Sequence, residues 1–110
     1  MNFNLDNNTV IVNFNDIVKE DFFIFFNTIY KKIMDKNVII DFGEKNIFSS
    51  SFLDKLINIS TSHQNLNLSF VIVSSILNSE SIPQSLVWSP TLKEAKDLIE
   101  MDEMQRDLGL

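Results

Sequence analysis

The stretch Asn37–Ile59, NVIIDFGEKNIFSSSFLDKLINI, constrains the fold more than any other part of the chain. Val38-Ile39-Ile40 shows no polar alternation, the pattern of a central strand buried on both faces. A polar turn follows, and Ser49-Ser50-Ser51 then open an amphipathic helix with Leu53, Leu56, Ile57 and Ser60 inward. A helix start carries free backbone N–H groups and partial positive charge, which gives serines placed there two uses. One is capping, worth about 1 kcal/mol over alanine; Ser51 with Asp54 even forms an S-x-x-D pattern. The other is phosphorylation, because a helix N-terminus favours the added charge.

The flanking segments build a sheet around that strand. Phe3 and Leu5 alternate with polar residues, as do Val10, Val12 and Phe14, and Asn7-Asn8 between them predicts a hairpin. Asp16 to about Asp35 reads as a helix, with Val18, Phe22, Phe25 or Phe26, Ile29 and Ile33 at helical spacing. Phe23 and Ile24 widen this stripe, so the helix is expected to be covered on more than one side. Leu66–Val73 predicts the next strand and Leu86-Val87-Trp88 a short one. The Ser-rich segment Ile76–Ser85, containing Pro83, has no clear pattern. Thr91 and Glu94 have the spacing of a capping box before a last helix with Leu92, Ala95, Leu98 and Ile99 inward. Hairpin, then helix and strand in alternation, predicts one α/β domain over residues 1–110: a mixed sheet with an N-terminal hairpin and helices packed on it.

Chemistry is thin. The chain of 110 residues has a formal net charge of −6, which argues against phosphate-contacting nucleic-acid binding and against anionic membrane surfaces. Without cysteine there is no disulfide framework or thiolate nucleophile, and a single histidine, His63, cannot build a zinc or iron site or a His-rich nuclease centre. His63 near the end of a helix reads as a surface residue. The two glycines, Gly43 and Gly109, are too far apart for a phosphate loop. Ser50 and His63 make a poor triad, with no nucleophile elbow and no third member. Asp41 ends the buried strand, where its carboxylate is expected to bond to nearby loop N–H groups. The start, MNFNLDNNTV, lacks the basic and apolar regions of a signal peptide, and the apolar runs are too short for a membrane span. The expectation is a cytoplasmic, non-enzymatic protein with no cofactor and no metal.

Val38-Ile39-Ile40-Asp41, the turn, the serines and the pair Leu53 and Leu56 together resemble the STAS domain of bacterial anti-sigma factor antagonists. In that family a buried strand ending in Asp leads, through a short turn, to Asp-Ser-Ser-Gly-Leu at a helix start. Ser50 and Ser51 fall on the two family serines, Ser49 on the Asp and Phe52 on the Gly. Pro90-Thr91 with Glu94-Ala95 resembles the family's start of its last helix, and the hairpin and first helix match in order and length. The end of the chain, IEMDEMQRDLGL, resembles the closing helix of small STAS-like proteins of Bacteroidetes.

The resemblance implies a signalling module that works by protein–protein contact. Ser50 would be the phosphorylated residue, Ser49, Ser50, Ser51 and Phe52 the partner-binding surface, and the partner an anti-sigma factor or kinase-like protein. The alternative is a phosphorylation-independent adaptor subunit of a larger assembly. Phe52 departs from the family glycine and has two readings: tucked under the turn, or exposed as an aromatic anchor. Met101, Met104 and Leu108 also have two: a continuation of the last helix along the sheet, or a stripe for another protein or a second copy.

Overall fold

The computed structural model describes residues 2–14, 18–78, 80 and 82–109. Strands β1 (Asn2–Asp6) and β2 (Thr9–Asn13) form the expected hairpin, antiparallel with Phe3 opposite Val12 and Leu5 opposite Val10. Asn7 at φ +55° supplies the left-handed turn residue, a conformation asparagine tolerates better than most side chains. The chain continues through α1 (Phe22–Ile33), β3 (Asn37–Gly43), α2 (Ser50–Gln64), β4 (Phe70–Ser74), β5 (Trp88–Ser89) and α3 (Leu92–Asp107). The strands lie in the sheet in chain order, β1-β2-β3-β4-β5, and every pair after the hairpin is parallel.

Side-chain alternation divides the core into two layers. Val10, Val12, Phe14, Val38, Ile40, Phe42, Phe70 and Ile72 meet Phe22, Phe26 and Ile33 of α1 and Phe52 and Leu56 of α2 on one face. Ile39, Val71 and Val73 meet Ala95 and Ile99 of α3 on the other, with Leu92 and Leu98 packed alongside. Val38, Ile39 and Ile40 are fully buried, so β3 has the two covered faces that its unbroken apolar run predicts.

Several boundaries differ from the sequence pattern, each for a local reason. Asp16 lies outside the described residues, and α1 starts only at Phe22. Before it, Val18 is extended, and the Asp21 N–H donates to the Val18 carbonyl at 3.0 Å to close a single 3₁₀ turn, Lys19–Asp21. α1 is covered by the sheet and, through Phe23 and Tyr30, by α2, while its outer side is open: Ile24 is 66% and Phe25 47% exposed. β4 starts at Phe70 rather than Leu66, because Asn67 at φ +62° ends the turn after α2 in a left-handed conformation. Leu86 closes a turn onto the Pro83 carbonyl at 3.0 Å, which delays the last strand to Trp88–Ser89.

Candidate functional site

The carboxyl ends of β3 and β4 and the start of α2 come together at one edge of the sheet, the edge where open α/β sheets usually meet their ligands. The Gly43 N–H donates to Asp41 Oδ1 at 2.9 Å, the loop bond expected of that carboxylate. Gly43 sits at φ +58°, where a side chain would be strained, and its carbonyl accepts from the Ser75 N–H at 3.0 Å. The loop then crosses the strand ends, with Phe48 edge-on to Phe42 at 5.1 Å between ring centres.

The three serines have separate environments. Ser49 is the N-cap: its backbone is extended and its Oγ accepts from the Phe52 N–H at 3.3 Å. Lys19 Nζ also donates to that oxygen at 3.4 Å, and Ser51 Oγ lies 3.3 Å from it. Ser50 is the first helical residue and is exposed; among the described residues no hydrogen bond engages its hydroxyl. Capping and accessibility are therefore divided between neighbouring serines.

Phe52 does not join them on the surface. Only 4% exposed, its ring lies among Phe23, Phe22, Phe42 and Phe48, with ring centres 4.9, 5.6, 5.9 and 6.1 Å away. The exposed-anchor reading is corrected, and Phe52 leaves the partner-binding set. The cause is its place on α2: Phe52, Leu56 and Ser60, four residues apart, form the innermost line of the helix. The Phe52 side chain thus fills the chain's own core.

His63 is the residue that sequence reasoning misplaced most. It is fully buried, with Nε2 2.7 Å from the Lys36 carbonyl and Nδ1 2.6 Å from the Tyr30 hydroxyl. A carbonyl only accepts, so Nε2 carries the proton, and the neutral ring takes the Tyr30 proton at Nδ1. Burial holds the imidazole below its ordinary value, partly offset by the bond to Lys36, and burial also raises the Tyr30 phenol. His63 joins α1, α2 and the turn before β3. It sits roughly 20 Å along α2 from Ser50 at 1.5 Å per residue, so the two share no site.

A second polar cluster, at the opposite end of the sheet, had no sequence signal beyond scattered charges. Asn37 and Ser69, both buried, receive α3: Ser69 Oγ donates to Asp102 at 2.8 Å, and Asn37 Nδ2 donates to Glu103 at 3.1 Å. Arg106 donates to Ser69 Oγ at 3.2 Å and to Asn37 Oδ1 at 3.3 Å, and the Ser69 N–H donates to that same Asn37 oxygen at 2.9 Å. Asn37 and Ser69 are thus hydrogen-bonded to three side chains of α3, which makes the cluster a fastening for that helix. On the outer side of that helix Met101, Met104 and Leu108 are 57%, 59% and 72% exposed, so the stripe does not continue along the sheet.

Among the described residues no group of three or more His, Asp or Glu side chains is placed to hold a metal ion, and no helix is long and apolar enough to cross a membrane. The chain matches no protein-family model, and no curated protein matches it.

Proposed function

We propose that this chain is a non-enzymatic protein-interaction module of the STAS type, contacting its partner through the start of α2 and regulated by phosphorylation of Ser50. The observation that carries this reading is the exposed, unengaged Ser50 hydroxyl on the first turn of a 15-residue helix whose cap is supplied by Ser49. A phosphate there adds roughly −1.5 to −2 charges where the helix dipole favours them, and leaves the cap in place. It changes the charge of the contact surface without disturbing the core. Lys19, whose Nζ donates to the neighbouring Ser49 Oγ, puts a cation at the same helix start. The partner this reading implies is an anti-sigma factor or a kinase-like protein, in a bacterial cytoplasm.

A second reading, an adaptor that needs no phosphorylation, is favoured by the outer stripe of α3. Met101, Met104 and Leu108 face away from the sheet and offer a contact surface without any serine.

The test is to purify the protein from its own host, map phosphoserine by mass spectrometry and identify the proteins that come with it. Phosphate at Ser50, with a partner released by Ser50→Asp and retained by Ser50→Ala, supports the switch. A partner bound equally by both variants but lost on Met104→Glu supports the adaptor instead.

A further inference from the structure

β1 is an open edge. Among the described residues it pairs with β2 on one side only, and one row of its backbone N–H and C=O groups has no partner strand there. Natural sheets usually blunt such an edge with lysine, proline or a bulge. Here the strand, NFNLD, has no lysine and no proline, and its pairing with β2 is regular across all five positions. Its single charge, Asp6, is already paired with Lys96 of the same chain at 3.3 Å.

The edge is also apolar on one face. Phe3 and Leu5 sit opposite Val12 and Val10, and therefore on the α1/α2 face, yet they are 44% and 62% exposed. Phe25 extends that surface. Phe23 and Tyr30 mark the side of α1 that meets α2, through Phe52 and His63. Phe25 lies about 200° around the helix from Phe23, at 100° per residue, which turns it away from α2 and toward the hairpin side of the sheet. The unpaired edge and the uncovered flank of α1 thus form one corner.

We propose that this corner is covered by a second copy of the chain, through antiparallel pairing of β1 with β1 across a two-fold axis at Asn4. The strand's own pattern selects that occupant. Centred on Asn4, the register sets Phe3 against Leu5 of the other copy, Leu5 against Phe3 and Asn4 against Asn4. Apolar residues meet apolar ones on the face that carries α1, polar residues meet polar ones on the other, and no like charges face each other. The register uses the full strand, is its own complement and joins two five-stranded sheets into one of ten.

The chain contains no cysteine, which makes the register directly testable by cross-linking. Directly opposed residues of an antiparallel pair have Cα atoms about 4.5–5.5 Å apart, within disulfide range. Full-length Asn4→Cys should therefore oxidise to a covalent dimer, whereas Met104→Cys, on the outer side of α3, should not. In sedimentation velocity the unmodified protein should run as a dimer, and Leu5→Lys should weaken that dimer roughly tenfold or more by setting a charge among apolar side chains. Leu5 is exposed in the single chain, so circular dichroism of Leu5→Lys should match the parent and separate loss of pairing from loss of fold. A monomer at every concentration tested would overturn the proposal, as would a dimer that ignores Leu5→Lys or cross-links at Met104→Cys and not at Asn4→Cys.

Discussion

At the scale of single residues, environment decides roles that residue type leaves open. His63 is the clearest case. Its folded-state value is lowered, so the folded protein binds fewer protons than the unfolded chain as pH falls below the ordinary imidazole value of roughly 6.5. Stability should be complete above that value, decline as pH drops toward the lowered folded-state value, and lose nothing further from this group below it. Urea unfolding across that range should show the decline in the parent and not in His63→Phe, which keeps the ring but cannot titrate. That variant should also be less stable at neutral pH by about 1–3 kcal/mol, because the Lys36 carbonyl loses its donor. The serines separate in the same way: Ser49→Ala should cost about 1 kcal/mol as a lost cap, and Ser50→Ala should stay within about 0.5 kcal/mol. That the serines open the helix, and that Asp41 bonds to its own loop, was legible from spacing. Which serine caps was not, because all three are of the capping type and only the backbone conformation at Ser49 distinguishes them. The burial of His63 was hidden for a related reason: its two partners, Tyr30 and the Lys36 carbonyl, are about 30 residues away in sequence and give no local pattern.

At the scale of elements, apolar periodicity located the hairpin, α1, β3, α2 and α3, since each buries a face with the period of its own geometry. It misread the ends, where asparagine turns and a 3₁₀ turn interrupt an apolar run that continues past them. α3 shows how two kinds of attachment divide one helix. Its first half is held by Leu92, Ala95, Leu98 and Ile99, and its second half by Asp102, Glu103 and Arg106 on Asn37 and Ser69. Removing the polar fastening should loosen only the second half. Arg106→Ala should cost about 1–2 kcal/mol and speed amide exchange after Ile99, leaving the first turns protected. Met104→Gln, on the uncovered side, should change stability by less than about 0.5 kcal/mol.

At the scale of the whole molecule, stability should grade from the middle of the sheet to its edges. β3 is paired on both sides and buried on both faces, whereas among the described residues β1 and β5 each pair on one side. In native-state hydrogen exchange Ile39 and Ile40 should exchange only through global unfolding, and outward-facing amides of β1 should exchange at once in the monomer and slow on self-association. The order of the strands has a further consequence, for the newborn chain. Because each strand lies beside its predecessor, the hairpin, β3 and β4 can dock in the order they leave the ribosome, and α1 and α2 can close one face as they go. Among the described residues the other face is covered by α3, which follows all five strands in the chain. Ile39, Val71 and Val73 therefore stay open to water until α3 has been made. A chain released early, without Leu92–Asp107, would carry a finished sheet with one bare apolar side, which is a substrate for chaperones and proteases rather than a smaller version of the protein.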